Sequence, residues 1–118
     1  MSCVFCQIIE GKLPARVVHR DALVTVFHDR APITPVHLLI VPNRHLESLN
    51  QAQEEDKELL GHMILTAQNI ASRMGIEQSG YRLVINTGRD AGQSVFHLHL
   101  HLLGGARMAF PLQPGEFS

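Results

Sequence analysis

The chain has 118 residues, 45% of them hydrophobic and 18% charged, and a formal net charge of −1. This balance excludes a disordered tail and fits one folded domain over residues 1–118. Ten Lys plus Arg against eleven Asp plus Glu, with no basic stripe, argue against a protein held on duplex nucleic acid by phosphate neutralisation.

The first expected element is a short helical turn over residues 5–10, ended by Gly11. The start lacks the basic and small-residue order of a signal peptide, and two cysteines without an export signal read as a cytoplasmic chain. Residues 17–20 and 23–28 read as strands around a turn at Asp21-Ala22. A loop over 31–35 with Pro32 and Pro35 leads to a strand over 37–41, which stops at Pro42. The apolar run 38–41 is far too short to span a bilayer, so no membrane partner is expected.

A long helix is expected over 51–74. Leu59, Met63, Ala67, Ile70 and Met74 recur at helical spacing, with Leu60, Ile64 and Ala71 beside them. Asn50 with Gln53 suits the N-terminal cap and Gly75 the C-terminal one. Strands follow over 81–86 and 95–103, joined by a Gly-rich loop, and an extended tail runs over about 106–118. Five strands grouped rather than alternating with helices predict an α+β fold with a largely antiparallel sheet.

Eight histidines stand in a chain with one Tyr and no Trp. Three alternate with leucine in Phe96-His97-Leu98-His99-Leu100-His101-Leu102-Leu103. Side chains alternate across a strand, so the imidazoles share one face and the leucines back onto a core. Neighbouring imidazoles are then roughly 7 Å apart, a spacing that surrounds a small anion but does not converge on one metal ion. Neutral imidazole is nucleophilic and its protonated neighbour donates to an oxyanion, so the row points to catalysis. Gly92-Gln93-Ser94 and Asn86 add neutral donors suited to phosphoryl oxygens.

This row, with Gly92-Gln93-Ser94-Val95-Phe96 before it and Leu103-Gly104-Gly105 after it, resembles the signature of the histidine triad (HIT) superfamily. The flanks are similar to its HINT branch of purine nucleoside phosphoramidases. Phe5-Cys6-Gln7-Ile8-Ile9, Leu13-Pro14-Ala15, Phe27-His28-Asp29, the stretch from Pro35 to Pro42, the stretch from Gly80 to Asn86 and Leu59-Leu60-Gly61-His62 match in family order.

The resemblance implies a HIT-like five-stranded sheet that continues across a homodimer, and a hydrolase that cleaves the P–N bond of a purine nucleoside phosphoramidate. His99 falls on the nucleophile that forms a covalent nucleotidyl-histidine. His101 falls on the residue that contacts phosphoryl oxygens and shares in proton transfer. His37 stands behind the nucleophile, and Ser94, Gln93 and Asn86 match the donors around phosphate, with no metal needed for the chemical step. Asp29 matches the acid that takes the ribose hydroxyls. Val4, Phe5, Ile8 and Phe27 match the base pocket, and Arg30 stands where relatives often have an aliphatic residue. Cys3, Cys6, His45 and His97 match a structural zinc set of other HIT branches; a redox dithiol is the rival reading of the two cysteines. HINT relatives have a tail whose end, often with a Trp, reaches the neighbouring subunit's active site; this chain has no Trp and offers Phe110 or Phe117, or nothing, in its place. The alternatives are a dinucleoside polyphosphate hydrolase or nucleotidylyltransferase, and a nucleotide-binding scaffold with vestigial activity.

Overall fold

Strand propensity and burial on both faces of the central strands build the centre of the molecule. The computed structural model describes residues 3–109. Strands β1 (Val17–Arg20), β2 (Val24–His28), β3 (Val36–Pro42), β4 (Tyr81–Val84) and β5 (Leu100–Gly104) form one sheet in the order β1-β2-β3-β5-β4. Every neighbouring pair is antiparallel. A short helix α1 (Val4–Ile9) and a long helix α2 (Lys57–Arg73) complete the α+β architecture that the sequence implies.

Alternation sorts the central strands between two faces. Val24 and Val26 of β2, Leu38 and Ile40 of β3, and Leu100 and Leu102 of β5 meet Leu59, Met63, Ala67, Ile70 and Ala71 of α2 in one buried cluster. The intervening Phe27, Leu39 and Val41 form a second cluster with Phe5 of α1. Because both faces of β3 are covered, it reads in sequence as an unbroken apolar run.

The long helix starts later than its periodicity suggests. Two single turns of 3-10 helix, Leu49–Gln51 and Glu54–Asp56, precede Lys57. Ser48, not Asn50, caps the first of them, accepting from the Asn50 N–H at 3.1 Å. Asp56 closes the second by accepting from the Gln53 N–H at 2.8 Å, and Arg44 donates to its other oxygen at 2.6 Å. Those bonds hold Asp56 below the usual carboxylate range. The C-terminus agrees with the sequence reading. Gly75 has φ +76, and bonds from the Gly75 N–H to the Ser72 carbonyl and the Ile76 N–H to the Ala71 carbonyl, both 3.1 Å, form a Schellman cap.

Strands β4 and β5 are shorter than the expected 81–86 and 95–103. The partner strand β3 ends at Pro42, where Asn43 is fastened towards β2 by its N–H to the Leu23 carbonyl at 2.8 Å and its side chain to the Asp21 carbonyl at 2.9 Å. In the β3–β5 register residues 99 and 98 stand opposite Val41 and Pro42, but the Leu98 N–H bonds to the Leu46 carbonyl at 2.6 Å instead, and the ladder starts at Leu100. Leu98 still enters the α2 cluster, so the alternation outlasts the strand. No helix among the described residues is long and apolar enough to cross a membrane. Residues 106–109 carry neither helix nor strand; the rest of the expected tail, with Phe110 and Phe117, lies outside the described residues.

Candidate active site

All three imidazoles of the row are buried, as is His37. On β5 His101 pairs with Leu39, and on β3 His37 pairs with Leu103. The two histidines are thus diagonal neighbours on one face, a separation their rings can bridge. The Ile33 N–H donates to His37 Nδ1 at 3.2 Å, so the His37 proton stands on Nε2. That N–H donates to His101 Nδ1 at 2.9 Å, which places the His101 proton on its Nε2. Burial pushes His37 below its ordinary value; Asp29, 3.4 Å away, pulls it up and His99 pulls it further down.

His99 is oriented by the main chain. Its Nδ1–H donates to the His97 carbonyl at 2.7 Å, because a carbonyl only accepts. The lone pair then stands on Nε2, the arrangement a nitrogen nucleophile needs.

His97 faces a different set of atoms. Its Nε2–H donates to the Pro42 carbonyl at 2.8 Å, leaving the Nδ1 lone pair 3.4 Å from Cys3 Sγ, 3.6 Å from Cys6 Sγ and 3.1 Å from His45 Nδ1. Cys6 Sγ and His45 Nδ1 are 3.3 Å apart, and the four ligand atoms lie within 4.8 Å of one another. A tetrahedral zinc with Zn–S of about 2.3 Å and Zn–N of about 2.0 Å separates two nitrogens by roughly 3.3 Å and a nitrogen from a sulfur by roughly 3.5 Å. The four residues fit that cage. Burial keeps His97 below its ordinary value, in the neutral form a ligand requires. Burial and the Cys3 thiol push the Cys6 thiol up to about 11, a penalty that a coordinated cation removes.

A cavity of about 910 Å³, within the range of small-molecule sites, has none of His37, His97, His99 and His101 in its wall but is joined to them through Leu39, the register partner of His101, and Asp29, 3.4 Å from His37. Val4, Ile8, Phe27 and Asp29 line it, together with Leu39, Val95 and Arg30. Asp29 touches both the cavity and His37: one oxygen accepts from the Ala31 N–H at 2.8 Å, and the other lies 3.4 Å from His37 Nε2. Arg16 and His28 also line the cavity, and the sequence reading missed them. The bond from the His28 N–H to the Arg16 carbonyl, 3.1 Å, sets them side by side beyond the β1-β2 ladder. Only the position of His28, directly before Asp29, hinted at this.

Other expected residues are placed differently. Phe5 is 6% exposed and is not part of the cavity wall; its ring packs against His97, His99 and Phe27. The Gln93 carboxamide is bonded within the protein, donating to the Glu47 carbonyl at 2.8 Å and the Val95 carbonyl at 3.0 Å and accepting from the Gly88 N–H at 2.8 Å. Both of its amide hydrogens are therefore engaged, and it shapes the loop rather than reaching a phosphate. Ser94 is exposed on the same loop, and Asn86 is half-buried just beyond β4.

An antiparallel sheet carrying a buried row of imidazoles joined to an apolar cavity defines a class of small α+β proteins built around histidine. The model of the HIT domain matches residues 10–108, and the chain belongs to that family. A HIT family hydrolase from Legionella pneumophila superposes with a TM-score of 0.92 at 43% identity, covering 93% of this chain and 98% of its own. A histidine triad nucleotide-binding protein from Candida albicans gives a TM-score of 0.80 at 27% identity, covering 95% and 85%. A zinc-bound histidine triad family protein from Mycobacterium smegmatis gives 0.80 at 32% identity, covering 98% and 86%.

Proposed function

We propose that the protein is a hydrolase of purine nucleoside phosphoramidates that works through a nucleotidyl-histidine. The observation that carries this reading is the tautomer order of the imidazoles: His99 offers a lone pair at Nε2, while His101 offers a proton at Nε2, backed by His37. In the first step His99 Nε2 attacks the α-phosphorus, and the P–N bond to the amine breaks as the new P–Nε2 bond forms. The P–N nitrogen leaves as the free amine from its protonated form, held by a hydrogen bond from the His101 Nε2–H, whose ring the His37 N–H keeps in place. Water then attacks phosphorus and breaks the P–Nε2 bond. The water's proton passes to the departed amine, His99 returns to its neutral ring, and the nucleoside monophosphate leaves. The bond to the His97 carbonyl steadies the positive charge that the His99 ring gains on phosphorylation.

Asp29 takes the ribose hydroxyls, and Val4, Ile8 and Phe27 hold the base by apolar contact. Ser94 and Asn86 serve as phosphate donors. Cys3, Cys6, His45 and His97 hold a structural zinc, which fastens α1 to the histidine segment and supplies no part of the chemistry. The protein works as a homodimer, favoured by exposed Ile64 and Leu65 on α2 and by the position of β4 at the sheet edge. Its two free thiols suit the cytoplasm.

The test is mass spectrometry of the protein mixed with adenosine 5′-phosphoramidate, beside a dinucleoside polyphosphate as the competing substrate. A transient adenylyl adduct on His99, with AMP released only from the phosphoramidate, is expected. Faster hydrolysis of the dinucleotide favours the rival hydrolase, and no turnover of either leaves a binding protein.

A further inference from the structure

Phe5 stands edge-on to three rings: His99 at 5.1 Å and 88°, Phe27 at 5.4 Å and 74°, and His97 at 5.9 Å and 63°. A further ring, His101, meets His99 at 4.9 Å and 65°. The helix that carries Phe5 is fastened beside it: Cys3 caps α1 by accepting from the Cys6 N–H at 3.4 Å. Both thiols also lie against the His97 ring, at 3.4 and 3.6 Å from its Nδ1. Phe5 therefore has little freedom to retreat.

An imidazole rotates about χ2 in a broad, roughly two-fold well. A half turn of His99 would exchange Nδ1 with Cδ2 and Nε2 with Cε1. The turned ring offers no N–H to the His97 carbonyl, and a carbon stands where attack on phosphorus requires the Nε2 lone pair. The hydrogen bond to the His97 carbonyl opposes this rotation from one side of the ring; the flat, immobile Phe5 ring blocks the tilted positions through which the imidazole must pass and the rotamers that swing it out of the attacking plane.

We propose that Phe5 is a positioning residue, whose edge-on ring holds the His99 imidazole in its attacking rotamer, rather than a wall of the nucleoside pocket. This rests on the reading of His99 as nucleophile. An aromatic pair of this geometry shifts an equilibrium by a factor of roughly 2 to 12 beyond its buried area. Its removal is thus expected to lower the population of the attacking rotamer, and kcat with it, by about two- to sixfold.

The test compares Phe5→Leu and Phe5→Met, which lose the flat ring at similar volume, with Phe5→Tyr, which keeps it. Steady-state kinetics with adenosine 5′-phosphoramidate, calorimetric AMP binding and ¹⁵N NMR of the His99 ring are the readouts. The non-aromatic variants should lose about two- to sixfold in kcat with KM and AMP affinity unchanged from the parent. Their His99 nitrogens should shift towards averaged values, and Phe5→Tyr should recover most of both effects. Raised KM and weakened AMP binding at unchanged kcat would make Phe5 a base contact and overturn the proposal. So would His99 nitrogen signals that match the parent in both non-aromatic variants. Should the parent hydrolyse no phosphoramidate, the functional reading fails, while the NMR comparison still decides whether Phe5 orients the ring.

Discussion

Removing the His99 imidazole deletes the proposed nucleophile but leaves Asp29, the apolar cavity and His101 in place. His99→Ala is therefore expected to lose at least about 10³-fold in kcat while AMP binding stays within a few-fold. Single-turnover kinetics beside calorimetry check this; joint loss of binding and turnover in a folded variant would recast His99 as a binding residue. A second residue is decided by space alone. Gly104 lies between β3 and β4, opposite Val36 and Tyr81, and a Cβ there would meet Ile76 Cδ1 at 2.6 Å. Gly104→Ala should destabilise by about 1–3 kcal/mol through overpacking. Adding Ile76→Val, which removes the clashing methyl, should recover part of that in urea unfolding; an additive loss would show the clash to be irrelevant. Residues of this kind differ in how openly the sequence declares them. The histidine row was legible because alternation is a local property. Gln93 was not: a polar residue in a Gly-rich loop looks the same whether it faces a phosphate or bonds to the Glu47 carbonyl.

Between elements, His37 ties β3 to β5 and titrates with folding. Burial holds it below its ordinary value of 6.5 in the folded protein, so the unfolded chain binds more protons once the pH falls below that value. This contribution to stability is fully present above pH 6.5 and is lost as pH falls through the folded value. The urea midpoint should drop between pH 7.5 and 5.5, and less so for His37→Gln, whose side chain does not titrate; equal drops would exclude His37 as the source. The cysteine–histidine cluster joins α1, the segment after β3 and the approach to β5. If it holds zinc, a strong chelator should lower the melting temperature of a zinc-loaded sample while most activity survives at moderate temperature. Cys3→Ser with Cys6→Ser should do the same, and activity abolished by chelation but restored by zinc would contradict a structural role. Element types were legible from period and turn chemistry, but their ends depended on distant partners. The α2 start depends on Arg44 reaching Asp56, and the β5 start on Leu98 bonding to Leu46, contacts that a local window does not contain.

At the scale of the whole molecule, the sheet has two edges and treats them differently. β1 carries a register shift between Val17 and His19, a feature that blunts an edge against pairing. β4 pairs regularly with β5 over its whole length and leaves its other side at the sheet edge. On α2, Ile64 and Leu65 are 50% and 62% exposed, outside the stripe of Leu59, Met63, Ala67 and Ile70 that covers the sheet. In the proposed dimer a second copy covers this regular open edge and the apolar residues left over on the helix. A stable interface of that kind buries at least about 1,000 Å² in total, so disrupting its apolar part should separate the subunits. Light scattering is expected to give twice the chain mass of 13.1 kDa. Ile64→Glu combined with Leu65→Glu should reduce it to the single-chain value with a lower melting temperature, since neither side chain belongs to the α2 core cluster. A parent protein that scatters as a monomer at micromolar concentration and turns over at full rate would remove the dimer. A double variant that stays dimeric would move the interface off this face of α2.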